Sequence, residues 1–201
     1  AMPLLQAGYG VLQIGSRACA KTPPVPVTLG ASEVNEAAAG LIFLQSRPEV
    51  APDRIGIFGF SMGGVGAIRT AARHPEIAAV LAEGGYYNLG NDIVEPDDAS
   101  VSVPRRIFLY TIAGVFWLRT GISPWTISPV DDIARISPRP VLLIYGEHEA
   151  GFGRAQAQFE SAGEPKELWI TPDGSHGQNY LVAPEEYERR VLEFFNQTIG
   201  E

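Results

Sequence analysis

Apolar positions follow two rhythms along this chain. Runs at 54–60 (RIGIFGF), 77–85 (IAAVLAEGG), 139–146 (RPVLLIYG) and 166–174 (KELWITPDG) are short and nearly continuous, and glycine or proline bounds them. Such runs predict strands buried on both faces. GYGVLQIG, at 8–15, reads the same way and follows a helix end at Leu4 and Leu5. Between these runs the spacing stretches to three and four residues, which predicts helices. One covers 33–46, with Ser32 as its cap and Val34, Ala37, Ala38, Leu41 and Leu44 on one face. Another follows Ser61 and stops at His74-Pro75, where proline disfavours helix in the residue before it. A third covers 154–163, and a fourth opens at Pro184 with Tyr187, Val191, Phe195 and Ile199 on one stripe. Residues 16–29, with Pro23, Pro24 and Pro26, read as loop. Strands alternating with helices predict an α/β fold: a doubly wound, mostly parallel sheet flanked by helices.

One stretch interrupts that alternation. Residues 88–136 carry loop signals, then the very apolar VPRRIFLYTIAGVFWLRTG, then more prolines. They are expected to form a small helical cap inserted into a single domain spanning 1–201. The apolar run at 107–118 is shorter than the roughly 20 residues a bilayer span needs, so no stable membrane span is expected.

Composition narrows the function classes. The chain has 201 residues, 45% hydrophobic and 19% charged, which suits one globular domain. Its net charge of −8 disfavours phosphate backbones, so no nucleic-acid partner is expected. Cys19 is the single cysteine, which excludes an intrachain disulfide and a cysteine-based zinc site. Only three histidines occur and none pairs at ligand spacing, so neither metal nor other cofactor is expected. The start, AMPLLQAGYG, lacks the basic and apolar regions of a signal peptide, and Ala1 reads as a cloning remnant. Location stays open, with the cytoplasm as the expectation.

The chemistry gathers at GFSMGG, 59–64. Gly59, Gly63, Gly64 and Gly66 crowd Ser61, although glycine weakens strands and helices alike by about 0.5–1 kcal/mol. G-x-S-x-G between a strand and a helix marks an elbow that lifts a serine hydroxyl above a sheet. Glycines are expected there because bulk would clash. The Met62 N–H, opening the helix, would face a developing oxyanion. A serine needs a base. His176, in TPDGSHGQN after the last strand, is the candidate; His74 reads as a solvated helix end and His148 as a loop or pocket residue. The base in turn needs a carboxylate to hold its tautomer. Glu149, three residues beyond Gly146, is the first choice, with Glu147 and Glu83 as alternatives. Phe60, Tyr86, Phe116 and Trp117 are candidate walls for a substrate.

Strand, serine, strand, acid, strand, histidine is the chain order of the α/β-hydrolases. The sequence resembles that superfamily, and within it the dienelactone-hydrolase and serine-aminopeptidase-like esterases. RPEVAPDRIGIFGFSMGG, ISPVDDIARISPRPVLLIYGE and AGEPKELWITPDGSHG carry the resemblance. It implies hydrolysis of small-molecule carboxylic esters with short to medium acyl chains, with Ser61 as nucleophile, His176 as base and Glu149 as acid. The alternatives are a thioesterase, acyltransferase or peptidase with the same triad, or a degenerate, non-catalytic interaction module. Most relatives have aspartate at the acid position.

The resemblance also implies what is missing. The family's earlier strands, and the loop that supplies a second oxyanion N–H, have no counterpart here; losing one such donor costs about 10²–10³ in rate. Three explanations are open: a fragment of a longer gene, a first strand shifted into the vacant slot with Gly15 or Ser16 as donor, or a partner chain. Self-association is the expectation, because open central strand edges invite pairing.

Overall fold

The computed structural model describes residues 2–17, 25–95, 102–151 and 154–200. Cys19, Pro23, Pro24 and positions 96–101 of the expected cap lie outside the described residues. Four parallel strands form one sheet in chain order: β1 (Ile55–Phe60), β2 (Ile77–Glu83), β3 (Val141–Gly146) and β4 (Lys166–Thr171). Each is one of the continuous apolar runs.

The strand period of two deals side chains to opposite faces. Val80 and Ala82 of β2, with Val141, Leu143 and Tyr145 of β3, meet helices on one face. Those helices are α2 (Glu33–Gln45), α3 (Met62–Ala71), α6 (Pro129–Ile133) and α7 (Ala155–Ser161). Ala79 and Leu81, with Leu142 and Ile144, meet the stripe of α9 (Pro184–Thr198) on the other; Leu4 of α1 (Met2–Gln6) packs there too. The fold is thus a parallel sheet wound on both sides.

Segment 88–136 holds α4 (Leu89–Val94), α5 (Val103–Thr120), α6 and two 3-10 turns (Pro124–Thr126 and Ala134–Ile136). A short helix, α8 (Asn179–Val182), lies just before α9; it is too brief to leave a periodic signal.

Two expectations fail. Residues 8–15 form no strand. Val11, Leu12 and Ile14 are 39, 38 and 45% exposed, and Ile14 lies close over Gly40 of α2. Tyr9 is tied instead to α9, its hydroxyl donating to Asn196. The segment lies against α2 and α9 and not beside β1, so the shifted-strand explanation is withdrawn. Ser32 makes no side-chain cap bond. The Glu33 carboxylate instead ties down the turn before the helix: it accepts from the Thr28 and Gly30 N–H groups and the Thr28 hydroxyl. Burial pushes the Glu33 carboxyl up, but these hydrogen bonds outweigh it and hold it below the usual range. They also pin Leu29 and Gly30 in left-handed conformations, φ 51° and 88°.

Candidate active site

Every strand ends at the same edge, and the loops beyond β1, β3 and β4 each bring one polar group. Ser61 follows β1 with φ 55° and ψ −122°, a conformation costing about 1–3 kcal/mol in a residue other than glycine. Its N–H donates to the Glu83 carbonyl at 2.7 Å, which anchors the bend to β2. The crowding has a definite place. A Cβ on Gly59 would sit 1.9 Å from the Gly63 carbonyl oxygen, and one on Gly64 would meet backbone at 3.1 and 3.2 Å. Gly63 and Gly66 face open space, so the expectation that bulk clashes throughout the cluster is corrected for these two.

Three loops converge on the serine. His176, beyond β4, places Nε2 2.9 Å from Ser61 Oγ. Glu149, beyond β3, places Oε2 2.6 Å from His176 Nδ1. A carboxylate only accepts, so the ring proton belongs on Nδ1, and the Nε2 lone pair is left for the serine hydroxyl. Glu149 is 9% exposed, and its Oε1 accepts from the Gly146 N–H at 3.0 Å. Gly84, at φ 53°, is the floor: a Cβ there would lie 3.1 Å from His176 Nδ1 and 3.2 Å from both Glu149 oxygens.

The other glutamates are engaged elsewhere. Buried Glu83 accepts from Asn179 Nδ2 at 2.9 Å and from the Tyr187 hydroxyl at 2.5 Å. Burial, then the neighbouring Glu83 charge, pushes the Tyr187 hydroxyl far up, so it stays a donor. Glu147 is exposed and accepts the Asp173 N–H. His74 precedes β2, at the opposite edge of the sheet.

Sequence reasoning did not single out Asn179 or Gly84. Fully buried Asn179 reaches Glu83 and, at 3.5 Å, Glu149 Oε1. The Gly84-Gly85 pair closing a strand was the one readable signal for the floor.

A cleft of about 470 Å³ opens over the serine, lined by Ser61, His176, Tyr86, His148, Ser175 and the Gly84-Gly85 turn. Phe60 stacks beside the imidazole, ring centroids 4.9 Å apart. Tyr86 donates its hydroxyl to the Leu29 carbonyl, and burial pushes that hydroxyl's pKa up. Phe116 packs with Tyr86 in a small cluster around Val65, Leu89 and Ile127. Trp117 is 55% exposed; neither it nor Phe116 lines the cleft. The Met62 N–H opens α3, where the first turn leaves donors without intrahelical partners. Among the described residues no cluster of histidine, cysteine and carboxylate side chains could hold a metal.

Comparison with known proteins bears on the family of the chain. Residues 26–108 match the dienelactone hydrolase family. The esterase Pf2001 of Pyrococcus furiosus is 30% identical and superposes with a TM-score of 0.76, over 98% of this chain and 74% of that one. This chain is a dienelactone-hydrolase-like α/β-hydrolase. Two curated proteins are similar over much of this chain. The uncharacterized protein YfhR of Escherichia coli O157:H7 is 27% identical over 86% of this chain and 55% of its own length. The uncharacterized peptidase YtmA of Bacillus subtilis is 28% identical over 77% of this chain and 58% of its own. The hydrolase chain thus spans about half the length of the curated relatives it matches.

Proposed function

We propose that this α/β-hydrolase cleaves carboxylic esters by acyl transfer through Ser61, His176 and Glu149. The reading rests on one observation: the 2.9 Å and 2.6 Å contacts that link Ser61 Oγ through the imidazole to the Glu149 carboxylate. In it, His176 Nε2 takes the Ser61 proton as Oγ adds to the ester carbonyl. The Met62 N–H, at the positive end of α3, stabilises the oxyanion. Collapse expels the alkoxide, which takes the proton from Nε2. Water then adds to the acyl-enzyme, passing a proton to His176, and the acid leaves as Ser61 regains its hydrogen. Phe60 and Tyr86 flank the acyl group, and residues 88–136 act as the cap. The apolar surroundings of Tyr86 favour short to medium acyl chains.

Hydrolysis of p-nitrophenyl acetate and butyrate tests this. Ser61→Ala is expected to lower turnover by about 10⁴–10⁶ while circular dichroism and melting stay unchanged. Equal activity in the variant would overturn the reading. A second reading, amide cleavage by the same three residues, is favoured by the peptidase among the relatives. Turnover of a dipeptide p-nitroanilide above that of the esters would select it.

A further inference from the structure

Helix α5 has a face that nothing in the described fold covers. Of its 18 residues only Ala113 is buried. Ile107 and Phe108 are each 63% exposed and Leu118 is 76% exposed. At 3.6 residues per turn these three share, with Val103 and Val115, an arc of about 140° that also holds Pro104, Gly114 and the exposed Thr111, whose hydroxyl donates to the Ile107 carbonyl. Ala113 and Phe116 point the opposite way, toward the domain.

What borders the arc identifies its partner. Tyr110 and Trp117 follow on one side, with Arg106 beyond them; Arg119 and Arg105 close the other. Tyr110 stacks on the half-exposed Trp125, centroids 6.4 Å apart, which widens the aromatic rim. A groove of about 470 Å³ runs along Val103, Ile107 and Tyr110, with Arg106 at its lip. The helix carries three arginines and no carboxylate, in a chain of net charge −8.

We infer that α5 is a docking face for an anionic lipid surface. Aliphatic side chains in the middle, amphipathic rings at the rim and arginines outside them suit a helix lying flat at the headgroup boundary. The arginine stems extend along the apolar layer while their heads meet phosphate. A second copy fits less well: paired about a two-fold axis, α5 would bring arginine borders together with no carboxylate on the helix to meet them. The helix is thus basic within an acidic chain. The inference does not depend on the proposed hydrolysis.

Flotation with phosphatidylcholine vesicles, pure or containing about one-third phosphatidylglycerol, tests it. The intact chain is expected to float with the mixed vesicles, and raised salt is expected to release it. Emission from Trp117 and Trp125 should shift to the blue. Leu118→Glu should abolish flotation, and Arg106→Glu with Arg119→Glu should weaken it by at least about fivefold per arginine. Each variant is first checked for unchanged melting, and Ser61→Ala should float like the parent. Equal binding to both vesicle types would overturn the inference, as would flotation unaffected by Leu118→Glu. No binding, with light scattering showing a dimer that Leu118→Glu dissolves, would assign the face to a second copy instead.

Discussion

Strand β3 and helix α5 are both rich in apolar residues, yet the fold treats them in opposite ways. All six residues of β3 are buried, alternately against helices on the two faces of the sheet. In α5 a single alanine is buried, and a broad apolar arc faces outward. Hydrophobicity alone therefore announces that a segment needs cover, not what supplies it. In β3 the cover is the domain itself. The same packing holds the loop beyond β3, and with it Glu149, within reach of His176. In α5 the cover lies outside the described chain.

The largest expected effect tests the precision at the strand ends. Glu149→Gln should lower kcat for p-nitrophenyl butyrate by about 10⁴, because an amide no longer enforces the tautomer the base needs. Glu147→Gln, two residues away and exposed, should change it by no more than about twofold. Similar losses in both would break the contrast between a paired carboxylate and a solvated one.

Truncation measures the contrast between β3 and α5 directly. Leu143→Ala should cost about 2–5 kcal/mol in urea unfolding, since its neighbours cannot refill the space. Leu118→Ala should stay within about 0.5 kcal/mol, for it leaves no cavity. A large loss from Leu118→Ala would mean that α5 is packed in solution after all. A small effect of opposite sign is expected within the glycine cluster. Gly66→Ala should gain about 0.5–1 kcal/mol, because its methyl meets open space in a helix interior.

The four sheet strands were readable because each is a bounded apolar run, and sheet order followed chain order. Residues 8–15 carried a similar signal but lie against α2 and α9 instead of beside β1, which composition does not record. At the site, Ser61 stood out through G-x-S-x-G after a strand, and His176 because only three histidines occur and it alone follows the last strand. The carboxylate was harder. Glu83, Glu147 and Glu149 all leave the correct edge, and loop path rather than spacing sets which one meets the imidazole. Asn179 was hidden for the same reason, in a four-residue helix without periodicity. The open space at Gly63 and Gly66 is a tertiary fact, invisible in a run of glycines.

The central claim is that Ser61 is an activated nucleophile. Intact mass measured after exposure to a fluorophosphonate probe tests it most directly. One adduct per chain is expected, mapped to Ser61, absent from Ser61→Ala and strongly slowed in His176→Ala. A well-folded parent chain that takes up no probe, or that carries it on another residue, would contradict the account.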